Sequence, residues 1–139
     1  MKSNVRRRRR DIAAPSCDIH AAALRDVPRR DFLDVDADRI GCVRRFTLQD
    51  GSELREQLLA LSDLEQTFSY CLLDTPIPMF NYVAHVRLLP VTDGDRTFWH
   101  WESRFTTRPA DAAEITEMVG EQIYQAGFEA IRRHLQGAA

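Results

Sequence analysis

The sequence predicts an α+β fold in which a run of antiparallel strands is closed by one long C-terminal helix. Three observations carry that expectation. Segments between Ile40 and Phe105 alternate apolar and polar residues at period two, the spacing of strands buried on one face. Asp-Gly pairs at Asp50-Gly51 and Asp93-Gly94 fall between such segments, where they favour tight hairpins. After Pro109 the apolar positions Ile115, Met118, Val119, Ile123, Ala126, Ala130, Ile131 and Leu135 recur at helical spacing.

Taken in chain order, IGCVRRFTL is the first strand of this unit, with Cys42, Phe46 and Leu48 on one face and Arg44 among them. The turn QDGS leads to ELREQLLALS, which ends near Asp63, and a second turn leads to TFSYCLLD, where Phe68, Tyr70 and Leu72 share a face. The prolines of TPIP lack the N–H that a central strand needs, so the chain bends there. MFNYVAHVRLL then places Phe80, Tyr82, Ala84, Val86 and Leu88 together. RTFWHWESRF aligns Trp99, Trp101, Ser103 and Phe105 opposite Phe98, His100, Glu102 and Arg104. Both Asp-Gly turns are expected to be of type I′, with positive φ at both central residues. The helix stops at Gly137, a residue suited to a C-cap. Five consecutive strands joined by short turns make a meander, and the helix must bury its apolar stripe against it.

A chain of 139 residues with 44% hydrophobic and 29% charged side chains supports one modest core. No apolar run is long enough for a membrane span, and no secretory h-region follows the N-terminal arginines, so a cytoplasmic location is expected. Cys17, Cys42 and Cys71 are odd in number and widely spaced, which favours neither disulfides nor a zinc knuckle. Residues 1–38 hold nine basic and seven acidic side chains, leaving ten and fourteen beyond, so the body carries about −4 and is a poor match for nucleic acid. The run Arg6 to Arg10 repels itself, and residues 1–11 are expected to stay solvated and disordered; HAAALR, from His20 to Arg25, is the one short helix candidate there. The division expected is therefore an atypical segment, residues 1–38, and a folded unit, residues 39–139.

The blocks IGCVRRFTLQDGSELREQLLALSD, FSYCLLDTPIPMFNYVAHVRLLPVTDGDRTFWHWESRF and GFEAIRRHL, in that order, resemble the SRPBCC superfamily and its bacterial polyketide cyclase/dehydrase branch. That superfamily is related to START lipid-transfer domains and pathogenesis-related plant allergens. The resemblance spans roughly residues 39–136 and contains no catalytic signature. It implies a helix-grip fold, in which a curved antiparallel sheet of about five to six strands wraps a long C-terminal helix around an apolar cavity. Family members open with an edge strand and two short helices; here only IAAP, Ile12 to Pro15, echoes that opening. A first strand altered or lost at the N-terminus would leave a sheet edge bare, and a homodimer or a poorly soluble protein is the expected consequence.

The ligand implied by the resemblance is small and hydrophobic: a lipid, a polyketide or an aromatic metabolite. Phe46, Tyr70, Phe80, Tyr82, Trp99, Trp101, Met118, Tyr124 and Phe128 are the candidates to line its cavity, the tyrosines supplying hydroxyls to orient a polar group. Alternating aromatics in strands equally make plain core. Glu56, on the face of Leu54 and Leu58, is the candidate general base if the cavity is catalytic, with Arg44 as its partner; the same pair reads as an outward-facing couple if the register is shifted by one. His85 and His100 fall on the outer face. No spacing of a metal site, phosphate loop, nucleophile elbow or dinucleotide fingerprint occurs, so neither a metal nor a cofactor is expected.

Overall fold

The structure is a computed structural model and describes residues 1–12, 30–32, 39–47 and 51–137. Seven strands form one antiparallel sheet: β1 (Lys2–Ile12), β2 (Arg30–Phe32), β3 (Val43–Thr47), β4 (Glu53–Ser62), β5 (Thr67–Asp74), β6 (Phe80–Val91) and β7 (Arg96–Thr107). Their spatial order is β1-β7-β6-β5-β4-β3-β2. The expected meander is β3 to β7, and its strands fall where the alternation placed them. A 3₁₀ turn at Pro109–Asp111 then starts a helical stretch made of α1 (Ala112–Met118), a π-helical segment (Val119–Gln125) and α2 (Ala126–Gly137). No helix among the described residues is long and apolar enough to cross a membrane.

The core lies between the inner face of the sheet and this helix. Leu58, Phe68, Tyr70, Tyr82, Ala84, Val86, Leu88, Trp99 and Phe105 from the strands meet Ile115, Val119, Tyr124, Phe128 and Ile131 from the helix, all buried. Gly127 is required where helix and sheet are closest: a Cβ there would lie 2.8 Å from the Trp101 ring. Overpacking of that kind displaces rings that already sit in close contact.

Three expectations need correction. First, the arginine run is not a solvated tail. Lys2–Ile12 pairs along its length with β7, from Lys2 opposite Thr107 to Ile12 opposite Thr97, so the first edge strand is present. Period two divides its charges: Arg6, Arg8 and Arg10 turn toward the helix, and Arg7 and Arg9 turn outward. Arg6 lies 3.9 Å from both Glu117 and Glu121, Arg8 also pairs with Glu121, and Arg10 lies 3.3 Å from Glu129. On the other face Arg7 donates to Glu102 at 2.5 Å and Arg9 to His100 Nδ1 at 3.2 Å. Opposite charges on both sides relieve the self-repulsion that reads as disorder in the isolated run.

Second, Phe80 does not join Tyr82 in the core. Asn81 has φ +54° and the register slips between Phe80 and Val83, so the strand turns and leaves Phe80 49% exposed. Third, the β6–β7 connection is a four-residue loop, residues 92–95, in which Gly94 has φ +94° and Asp93 keeps negative φ; this is not the type I′ geometry. Gly51, with φ +85°, has the same left-handed backbone at the other Asp-Gly pair. The proposed helix at His20 to Arg25, and Cys17, lie outside the described residues.

The β1 attachment should be acid-labile. The hydrogen bond from Arg7 lowers the Glu102 carboxyl below its ordinary value near 4.5. The stabilisation is therefore full above that value and is lost as pH falls through the lower folded value. Hydrogen exchange across this range should show β1 amides losing protection before those of β5 and β6, and Glu102→Gln should remove the Glu102 part of that pH dependence. Equal protection of β1 on both sides of the transition would show that its ion pairs do not hold it.

Candidate functional site

The inner face of the sheet is an aromatic surface with a few hydroxyl groups set into it. Trp101 is central: Tyr124 from the helix stacks on it at 4.3 Å, Trp99 at 5.5 Å, and Phe128 meets it edge-on at 5.6 Å. Tyr82 lies between Tyr70 and Phe105, at 6.2 and 6.0 Å. These offsets and T-shaped contacts are the favoured arrangements of aromatic quadrupoles.

Within this apolar surround the polar atoms are paired across elements. The Trp101 indole N–H donates to the Tyr70 hydroxyl at 3.1 Å, and the Tyr82 and Tyr124 hydroxyls share a hydrogen bond of 3.1 Å between β6 and the helix. Burial raises all three tyrosines above the ordinary phenol value, and the nearby Glu56 charge adds to the rise at Tyr70. All three are therefore neutral donors at any physiological pH. The buried Ser103 hydroxyl is within hydrogen-bonding reach of the Tyr82 and Tyr124 phenols, whereas the indole N–H of Trp99 is buried without a hydrogen-bond partner among the described residues.

Glu56 and Arg44 settle on the inward side. Directly opposed on β4 and β3, both are buried, and an Arg44 nitrogen lies 2.7 Å from the Glu56 carboxylate. The carboxylate is thus engaged in a buried ion pair beside Tyr70. Three hydrophobic-to-polar contrasts meet here: a charge pair, a phenol row and an indole stack.

Of the predicted lining residues, Tyr70, Tyr82, Trp99, Trp101, Tyr124 and Phe128 are brought together. Met118 is half-buried against the core and also borders a groove of about 300 Å³ on the helix surface with Glu114, Glu117, Glu121 and Gln122. Phe46 keeps its place on β3 opposite Leu54, but its side chain lies outside the described residues. Phe80 stands apart, as described above. On the outer face, His85 bonds to Ser69 at 2.7 Å. No group of three metal-ligating side chains gathers among the described residues. Asn4, Thr97, Ser103 and Thr107 are buried polar residues to which the sequence assigns no role, and Arg6, part of the run read as a solvated tail, is half-buried against the helix.

Comparison of whole structures fixes the architecture. A solution structure from Thermobifida fusca superposes with a TM-score of 0.78 at 22% identity, covering 92% of this chain and 90% of that one. Ara h 8.0201 superposes at 0.80 with 16% identity, covering 98% and 99%. The fold is the helix grip. Norcoclaurine synthase from Thalictrum flavum, in complex with dopamine and hydroxybenzaldehyde, superposes at 0.70 with 13% identity, covering 99% and 89%. Norcoclaurine synthase and Ara h 8.0201 have SRPBCC-superfamily folds, and nothing in these likenesses singles out the polyketide cyclase branch. No family model matches the chain, and neither does any curated protein sequence.

The buried ion pair gives a prediction about stability. Glu56→Leu alone leaves Arg44 facing an apolar residue and should cost about 3 kcal/mol or more, whereas Arg44→Met/Glu56→Leu together should recover most of that loss. Denaturant unfolding of both variants measures the difference; equal losses in the single and double variants would mean that the pair does not act as a unit.

Proposed function

We propose that the protein binds a small apolar molecule, most readily an aromatic one, between the inner face of the sheet and the C-terminal helix. The observation that carries this reading is the set of neutral hydroxyls held inside an aromatic interior at Tyr70, Tyr82, Tyr124 and Ser103. Apolar walls with a few converging polar groups are the usual make-up of a small-molecule site. Trp99, Trp101 and Phe128 supply the walls, and Tyr82 and Tyr124 orient a polar substituent. Norcoclaurine synthase, with the same fold, was seen with two aromatic compounds, which supports the choice of ligand class.

A second reading, cyclisation or dehydration of a polyketide-like carbonyl substrate, is favoured by the position of Glu56 beside Tyr70. In that version Tyr70 polarises the carbonyl and Glu56 takes the proton, for which the Arg44 ion pair must release the carboxylate. Arg44→Met/Glu56→Leu separates the two: a binding protein keeps its affinity, and an enzyme loses on the order of 100-fold or more in rate.

Native mass spectrometry of protein purified from its own host, followed by denaturing extraction, tests the binding reading. A stoichiometric apolar adduct is expected, and the same spectra give the oligomeric state. Protein with no adduct, whose tryptophan fluorescence also fails to respond to simple aromatic probes, would refute ligand binding.

A further inference from the structure

One edge of the sheet is β1. It is the outermost strand, so one side of its backbone bonds to β7 and the other meets no strand among the described residues. All 11 of its residues pair with β7 without a slip, whereas the β4–β5 and β6–β7 ladders are interrupted. Edge strands are ordinarily closed to further pairing by shortness, a proline, a bulge or charge. β1 is long, unbroken in register and free of proline, so charge is the device left to it.

That charge differs between the two sides of the edge. On the outer face Arg9, His100 and Arg87 form one row across β1, β7 and β6, and Arg7, Glu102 and His85 form the next. With Arg104, 3.5 Å from Glu102, this patch holds four arginines and a single carboxylate among its described side chains. Glu102 already answers Arg7, whereas Arg9 bonds to an imidazole and not to an acid. The inner side is different. A groove of about 390 Å³ lies between the Lys2–Val5 end of β1 and Ala112, Ala113, Thr116 and Glu117 of α1. Small side chains make most of the helix wall, and Glu117 is 68% exposed, so a further carboxylate is repelled there.

We propose that β1 takes up an extended segment of a partner protein as a further strand, acidic at the alternate positions that face outward beside Arg7 and Arg9, and small and apolar at the positions between. Strand addition satisfies the backbone of the edge, and period two sorts the added side chains between the arginine face and the groove. Opposite charges directly across a strand pair stabilise it, and like charges destabilise it. The arginines that admit an acidic strand therefore turn away a second copy of this chain: full-length antiparallel pairing of β1 with itself sets Arg7 against Arg7 and Arg6 against Arg8. The inference is independent of any ligand between sheet and helix.

Fluorescence anisotropy of the full chain with labelled, alternating Glu-Val and Lys-Val peptides of about nine residues tests this, together with hydrogen exchange of the β1 amides. The Glu-Val peptide should bind at least about tenfold more tightly than the Lys-Val peptide and protect the β1 amides that β7 leaves open. Arg9→Glu should reduce that preference by about tenfold, Arg9→Gln by less, and Arg87→Glu, the same change of charge two strands from the edge, least of all. Thermal unfolding shows whether Arg9→Glu folds; if it does not, Arg9→Gln, which gives up only the bond to His100, carries the comparison. Equal binding of the two peptides overturns the choice of an acidic partner. Equal losses in the Arg9 and Arg87 variants, or binding without new protection on β1, overturns strand addition. Binding of neither peptide, or β1 amides already protected in a dimer of the free protein, overturns the whole inference.

Discussion

The stack of Tyr124 on Trp101 fixes where the helix lies, and with it everything between helix and sheet. A helix crossing a curved sheet has no hydrogen-bonded register to set its position, so side-chain shape must do so. Trp101 supplies a flat plate, Tyr124 lies on it, Phe128 closes its edge, and Gly127 omits the side chain that would strike it. Each of these depends on the others. The Trp101 N–H, the one polar atom of that plate, is satisfied by Tyr70 across two strands, which ties the rotamer of the plate to the sheet as well as to the helix.

Polarity in the interior is distributed in a graded way. At the β3–β4 side stands a full ion pair; in the middle are neutral phenols; at the β1 side three arginines reach toward glutamates of the helix. Burial treats these groups differently. A buried ion pair is tolerated only because both charges meet, whereas phenols remain neutral and need only one partner each. The helix is thus held by apolar contact in its centre and by charge along its β1 flank, a mixture that leaves some donors between the two regimes unmatched.

Much of this was legible in the residues. The meander β3 to β7, the inward row of β7 and the Gly137 terminus followed from period and turn chemistry. The inward register of Glu56 was one of two readings, and burial of Arg44 on the opposite strand decided between them. What escaped did so for local reasons. Five identical arginines show no alternation, so nothing within the run announces a strand; the matching signal, Glu117 and Glu121 one helical turn apart, lies at the far end of the chain. Phe80 obeys period two in the sequence, but the left-handed backbone at Asn81 breaks the period in space.

The arginine strand also bears on the order in which the chain is made. Asn4 and its partner Thr107 are 103 residues apart, so β1 leaves the ribosome well ahead of β7 and waits for the intervening strands before β7 exists to receive it. An apolar strand left unpaired for that interval would be a template for aggregation. Arginine keeps it solvated meanwhile, and the glutamates that later neutralise it are synthesised last, with the helix. Charge thus serves the nascent chain as well as the finished fold: the segment least able to hide itself early is the one whose side chains least need hiding.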